Sequence, residues 1–259
     1  MSCEKILYEE LQPAEFVEKI NDFPVAYLPL GTLEWHGLHM PLGADGLQSK
    51  GFFELVAKRI GGIVMPMLFL GPDRAEQKDG LNYYGMDNFS FQDEHPQQLE
   101  GSAYYVDEDF FKAILDNIIS NLKRAGFKMV IAHGHGPSME AFRSEHQHYL
   151  DKYDMPTYTL FELGSEGDEG IMTDHAAFNE TTLVMGLRPD LVNMDNIMDD
   201  EIPVAIWGKD PRGAASEAEG KRIIEKNLNI VCEKITEIAK ALPKANRELS
   251  YCDVKNMMR

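Results

Sequence analysis

The chain is short of cysteine, of tryptophan, of basic residues relative to acidic ones, and of long apolar runs, and most of these shortages exclude something. Its three cysteines, Cys3, Cys232 and Cys252, are odd in number and far apart, with no Cys-x-x-Cys. That argues against a disulfide framework and against a thiolate zinc site, and favours a reducing, cytoplasmic compartment. Only 25 lysines and arginines face 43 aspartates and glutamates, for a formal charge of −18. So acidic a surface repels phosphate backbones, so nucleic acid is not an expected partner. No stretch reaches the roughly 20 apolar residues of a membrane helix, and the start, MSCEKILYEELQPAEF, lacks an apolar signal core. A Gly-rich phosphate loop and a Gly-x-Ser-x-Gly elbow are missing too.

What is present is 259 residues, 44% of them hydrophobic, enough for one large domain with a full core. Strand-like and helix-like segments alternate. Val25 to Leu30, Gly62 to Leu70, Lys128 to Ala132 and Pro156 to Phe161 read as strands. Leu47 to Ile60, Asp107 to Arg124, Ser138 to Leu150, Glu180 to Leu187 and Ser216 to Ala241 read as helices. In the second of these, Phe110, Ile114, Ile118 and Leu122 form the apolar face, Asp107 is a candidate cap and Gly126 the stop. Such alternation predicts right-handed crossovers and a mainly parallel sheet with helices on both faces, in one domain spanning 1–259. Residues 71–98 lack periodicity and carry aromatics from Tyr83 to Phe91. They suit a structured flap or a small satellite core, and with residues 162–173 they are expected to line or cover a pocket.

Three clusters of metal-ligand side chains follow these strands or lie on loops. The first is LGTLEWHGLHMPLGADGLQ at 30–48, which packs Glu34, His36, His39 and Asp45 among four glycines. Glu34 and His36 are two apart, so an extended backbone projects both to one face. The second, His133-Gly134-His135-Gly136, comes directly after KMVIA. The third is Asp174-His175, followed by Glu180, with Asp174 suited equally to orienting His175 and to capping the turn that follows. Each alone has a plain structural reading: a surface pair, a hydrogen-bonded strand-end histidine, a helix cap. Together they offer imidazole and carboxylate but no thiolate, a set suited to zinc, manganese or iron. In open α/β sheets ligands bind beyond the strand ends, which is where these clusters fall.

The same residues resemble the creatininase family. LPLGTLEWHGLHMPLGAD is similar to its Gly-x-x-Glu-x-His-Gly-x-His-x-Pro…Asp motif, HGHGPS to its Asn-Gly-His-Gly-Gly-Asn loop, and DHAAFNETT to its His-Ala-Gly-x-x-Glu-Thr-Ser segment. LEGSAYYVDEDFF resembles its Pro-Gly-Thr strand, and GAASEAEGKR a glycine-alanine pattern before its last helix. The order is kept across most of the chain. The resemblance implies a three-layer α/β/α sandwich and two divalent metal ions that activate water to hydrolyse an amide-type C–N bond in a small molecule. It also implies a homo-oligomer, a hexamer in many members. Position by position, it implies that Glu34, His36, Asp45 and His135 are ligands, with Asp45 the bridge, and that His175 shuttles protons. Where creatininase has a metal-binding Glu two residues after its second-motif His, this chain has Pro137; Glu180 is then the fifth ligand. His133 stands for the usual Asn and Ala177 for the usual Gly, and the only tryptophans, Trp35 and Trp207, fall outside the matching positions, which argues against creatinine itself. Other branches of the family cleave formamides or peptide bonds. Candidate substrate contacts are His39, His133 and Asp174; Arg143 and Lys50 suit a surface role.

Two other classes fit parts of the pattern. A metal-binding scaffold without catalysis would explain Pro137 and His133. A serine nucleophile would make use of Ser138 beside His135, although no elbow surrounds it.

Overall fold

The computed structural model describes residues 5–89, 96–197 and 204–249. Its centre is a parallel sheet in which β1 (Val25–Leu30) lies between β2 (Ile63–Val64) and β5 (Met129–Gly134), with β6 (Thr157–Tyr158) beyond β5. Every residue of β1 and β5 is buried. Strands covered on both faces need no polar side, so they read as continuous apolar runs.

Side chains alternate between two cores. Val25, Tyr27, Met129 and Ile131 pack with α2 (Ala44–Ile60), α6 (Phe178–Leu187) and α7 (Glu217–Ala239) through Phe52, Val56, Leu183, Ile223 and Leu228. Ala26, Leu28, Leu30, Val130 and Ala132 face α1 (Pro13–Asp22), α3 (Glu108–Ala125), α4 (Gly136–Ser144) and α5 (His146–Tyr153) through Ile20, Phe111, Leu115, Ile119, Phe142 and Tyr149. The three-layer α/β/α architecture follows. Among the described residues no helix is long and apolar enough to cross a membrane.

Several elements depart from expectation. The 62–70 strand pairs only at Ile63–Val64. Pro66 has no N–H to give, and the chain rejoins β1 at Leu68, whose carbonyl accepts from Gly31 N at 2.8 Å. Past Tyr158 the sixth strand ends, because Glu162 Oε2 takes the Thr159 N–H at 2.7 Å. The 138–150 helix is two, divided at Glu145. α3 buries Phe111, Leu115, Ile119 and Leu122, so its face is turned by one residue and Phe110 is 57% exposed. Asp107 holds the N-cap position without a side-chain bond. Helix α1, not foreseen, opens with Glu15 Oε2 accepting from Gln12 N at 2.8 Å. Residues 71–89 contain a hairpin, β3 (Ala75–Lys78) with β4 (Leu81–Tyr84), and a 3-10 turn, Gly85–Phe89; residues 90–95 lie outside the described residues.

Candidate metal centre

β1 and β5 run side by side and end together, Leu30 opposite Gly134. Gly134 has φ +143°, and a Cβ there would stand 1.7 Å from Leu30 O, so only glycine fits. The next N–H, of His135, donates to Leu30 O at 3.2 Å. The loop after β1 folds back through a bond from Glu34 N to Leu42 O at 3.0 Å. It enters α2 with Asp45 in the first turn, not on the loop as its glycines suggest; there the unpaired peptide N–H groups favour a carboxylate.

Two sets of ligand atoms converge. In one, His36 Nε2 is 3.2 Å from Asp45 Oδ1 and 3.7 Å from Glu180 Oε2. In the other, His135 Nε2 is 3.1 Å from Asp73 Oδ2 and 3.5 Å from Glu34 Oε1. Within each set all ligand atoms lie inside 4.8 Å of one another, and His175 joins Glu34 and His36 in a third such group. Both imidazoles are oriented from behind. His36 Nδ1 donates to Glu34 O at 3.1 Å and His135 Nδ1 to Ser138 Oγ at 2.9 Å, which turns each Nε2 lone pair toward carboxylates. Acceptors facing acceptors at this spacing need a proton or a cation between them. Bonds of about 2.1 Å to one ion would set ligands roughly 3.0 Å apart in an octahedron and 3.4 Å in a tetrahedron, close to what is seen. Asp45 Oδ2 is buried with no partner, as a carboxylate left to bind a second ion would be. The residues fit divalent cations.

Electrostatics agree. Burial lifts the Glu34 carboxyl to about 8, with Asp45 and Asp73 adding to it against His135 and His36. Burial likewise pushes Glu180 well up, helped by Asp45. Burial opposes charge on His36, yet Asp45, Glu180 and Glu34 outweigh it and raise the ring to about 10. His135 rises to about 9 on the same balance, through Asp73, Glu34 and Asp45. Burial would raise Asp45, but His36 and His135 hold it well below the usual carboxylate range. Among the described residues these buried carboxylates pair with imidazoles and with no lysine or arginine.

His175 stacks on His36, with ring centroids 4.2 Å apart, and its Nε2–H donates to Trp35 O at 2.8 Å, leaving Nδ1 as the lone-pair nitrogen. Burial and the neighbouring His36 lower it to about 3. Asp174 does not orient it. That carboxylate caps α6, accepting from Asn179 N at 2.7 Å and Glu180 N at 3.0 Å.

The remaining candidates sit beside the centre. His39 Nε2 bonds Thr181 Oγ1 at 2.8 Å, and His133 Nε2 bonds Ile171 O at 2.9 Å. Arg143 pairs with Glu140 and Lys50 with Glu9 at the surface. Trp35 and Trp207 adjoin His175, the first through its carbonyl and the second through backbone bonds. Asp73 was missed, because it lies in a segment with no periodicity; its only signal was a place in the loop expected to cover the pocket. That loop also borders a cavity of about 880 Å³ lined by Asp73, Arg74, Tyr84, Tyr105, Pro137 and Glu140.

A buried carboxylate and imidazole cluster at the strand ends of an α/β/α sandwich defines a class, that of α/β proteins built to hold cations beyond the sheet. The sequence model of one such family, creatininase (creatinine amidohydrolase), matches residues 9–235, and the chain belongs to the creatininase family. It is similar to a creatinine amidohydrolase of Pseudomonas putida, 27% identical over 195 residues, 68% of each chain. Among solved structures it resembles a tryptophan-to-alanine mutant of creatininase, with TM-score 0.70, 21% identity, and 91% of this chain and 99% of that one covered. A glutamate-to-glutamine mutant of Zn–Zn type superposes with TM-score 0.67 at 23% identity over the same shares.

Proposed function

We propose that the protein is a metal-dependent amidohydrolase that uses water to cleave a C–N amide bond in a small molecule, a cyclic amide or a formamide. The observation that carries this reading is the convergence of His36, Asp45 and Glu180 beside Glu34 and His135, with Asp45 Oδ2 unpartnered. In this reading Glu34 and His135 hold one divalent ion, His36 and Glu180 the other, and Asp45 bridges. Zinc suits the donors, as do manganese and iron; relatives include a Zn–Zn form and a manganese form. Two such ions, when bound, polarise an amide carbonyl and make water a nucleophile near neutral pH.

The chain's own groups do the rest. The backbone carbonyl of Glu34 and the Ser138 hydroxyl fix which nitrogen each ligand histidine presents. Near-complete burial of the ligands keeps bulk water from competing for them. His175 is neutral, so Nδ1 can accept a proton from the attacking water and return it to the leaving nitrogen. Trp35 O, by holding Nε2–H, keeps that nitrogen out of the exchange. The reading also takes the protein as a cytoplasmic homo-oligomer with a small-molecule substrate. A serine nucleophile is disfavoured by geometry: Ser138 is fully buried, and its hydroxyl lies 2.9 Å from the His135 ring nitrogen that turns away from the carboxylates.

The test is Asp45→Ala. Elemental analysis should show metal lost, and a panel of cyclic amides and formamides with added zinc or manganese should show hydrolysis abolished, while circular dichroism retains the fold. Full metal content and full activity in that variant would overturn the bridging role.

A further inference from the structure

Glu34 and His135 come from the strand ends, but the third member of their group comes from elsewhere. Asp73 is the residue two before the hairpin β3–β4. Its Oδ1 is pinned by the Arg74 N–H at 2.6 Å, which aims Oδ2 at His135 Nε2, 3.1 Å away. The hairpin's far end returns to the same spot. Gly85 N donates to Arg74 O at 2.9 Å, closing the hairpin base. A Cβ on Gly85 would lie 2.5 Å from Asp73 Oδ2 and 2.8 Å from Glu34 Oε2, so the glycine leaves the two carboxylates room to face each other. Tyr84, last residue of β4, stacks on Tyr105 at 5.0 Å, and the Tyr105 hydroxyl reaches Glu34 Oε2 at 3.4 Å.

This is an arrangement that charge alone disfavours. Two carboxylate oxygens and an imidazole nitrogen converge in a largely buried place, and among the described residues neither acid pairs with a lysine or arginine. Leaving a buried charge unbalanced is strongly destabilising. A proton on His135 balances only one of them. The nearby Asp45 Oδ2, itself buried and without a partner, is a further acceptor that a hydrogen-bond role for Asp73 does not explain.

We propose that Asp73 is a protein ligand of the cation held by Glu34 and His135, and that binding this ion locks the hairpin over the centre. The proposal rests on the metal-dependent reading of the site. It makes the two ions unequal: one is held by groups on the sandwich alone, the other partly by a segment outside the sheet. The first should survive loss of Asp73, and the second should not.

The experiment compares wild type with Asp73→Asn and Asp73→Ser, two replacements no larger than the aspartate. Zn²⁺ affinity is measured by chelator competition, and Co²⁺-loaded protein by its visible spectrum. Wild type should hold two ions. In both variants one ion should weaken at least about 100-fold, more than the loss typical of an outer-shell contact, while the other keeps its affinity and serves as the check that the site is folded. Amide exchange over 75–84 should slow on adding Zn²⁺ to wild type and not do so in the variants. Two ions bound with wild-type affinity and an unchanged Co²⁺ spectrum would overturn the proposal. A wild type that takes up no metal would instead sink the metal-dependent reading beneath it.

Discussion

His133 and His135 are two residues apart on one strand end, yet they titrate in opposite directions. His135 looks at two carboxylates and is raised. His133 is fully buried beside Phe161, and burial lowers it to about 4 despite its bond to Ile171 O. A group whose folded pKa lies below its unfolded value binds its proton better when unfolded. Its contribution is therefore present above the unfolded value of 6.5 and is lost as pH falls toward 4. Between pH 8 and pH 5 this amounts to about 2 kcal/mol. Asparagine at this position can still donate to Ile171 O but has no proton to gain. His133→Asn should thus lose less stability than wild type over that interval, measured by urea unfolding of chelator-treated protein. Parallel losses in the two proteins would rule out His133 as the acid-sensitive group. At this scale the sequence was informative. Glu34, His36, Asp45 and His135 sit in short glycine-rich segments after β1 and β5, whose ends the strand register brings together, while His175 and Glu180 mark the entry to α6 without any glycine. Asp174 was ambiguous because Asp before a helix serves equally as a cap or as a histidine partner, and only the bonds to Asn179 and Glu180 separate the two.

Elements were legible where burial imposed a pattern and illegible where local bonding ended or shifted one. β1 and β5 stood out because both faces are covered. α3 was placed correctly but rotated, because Phe110 and Phe111, or Ile118 and Ile119, are interchangeable to a periodicity count; packing against β1 and β5 chooses Phe111 and Ile119. The hairpin 75–84 is marked in the sequence only by its turn, Asp79-Gly80, the two-residue pair whose positive φ values suit a hairpin; all four β3 residues are exposed, so no alternation marks the strands. Nor does any Pro or Gly mark the break at Glu145. The rotated face of α3 has a direct consequence. Leu115→Ala removes a fully buried side chain and should cost about 2–5 kcal/mol. Phe110→Ala, at an exposed position, should change stability by no more than roughly 0.5 kcal/mol. Thermal or urea unfolding of the two variants decides, and a reversed order would restore the face read from periodicity.

At the scale of the whole molecule, a chain of net charge −18 concentrates the most deeply buried acids among its described residues, Glu34, Asp45 and Glu180, at one point beyond the sheet. Without bound metal, the balance falls to imidazolium. His36 is raised to about 10 and His135 to about 9, and Glu34, at about 8, holds much of its own proton at neutral pH. All three have folded values above their unfolded ones. What they add to stability is complete below the unfolded value, 6.5 for the histidines, and is lost as pH rises through the folded one. Metal-free protein should therefore lose this contribution through Glu34 from about pH 4.5 toward 8 and through the two histidines from about pH 6.5 toward 10, while loaded protein, whose ligands must already be deprotonated, should not follow it. The same argument fixes a stoichiometry. Zn²⁺ added to chelator-treated protein at pH 7.5 has to displace the protons on His36 and His135 and part of that on Glu34, so roughly two or more protons should be released per protein. Calorimetric titration in two buffers of different ionisation enthalpy measures that number directly. Release near zero would mean that the imidazoles are already neutral before metal arrives, and that the carboxylates are balanced by something other than His36 and His135.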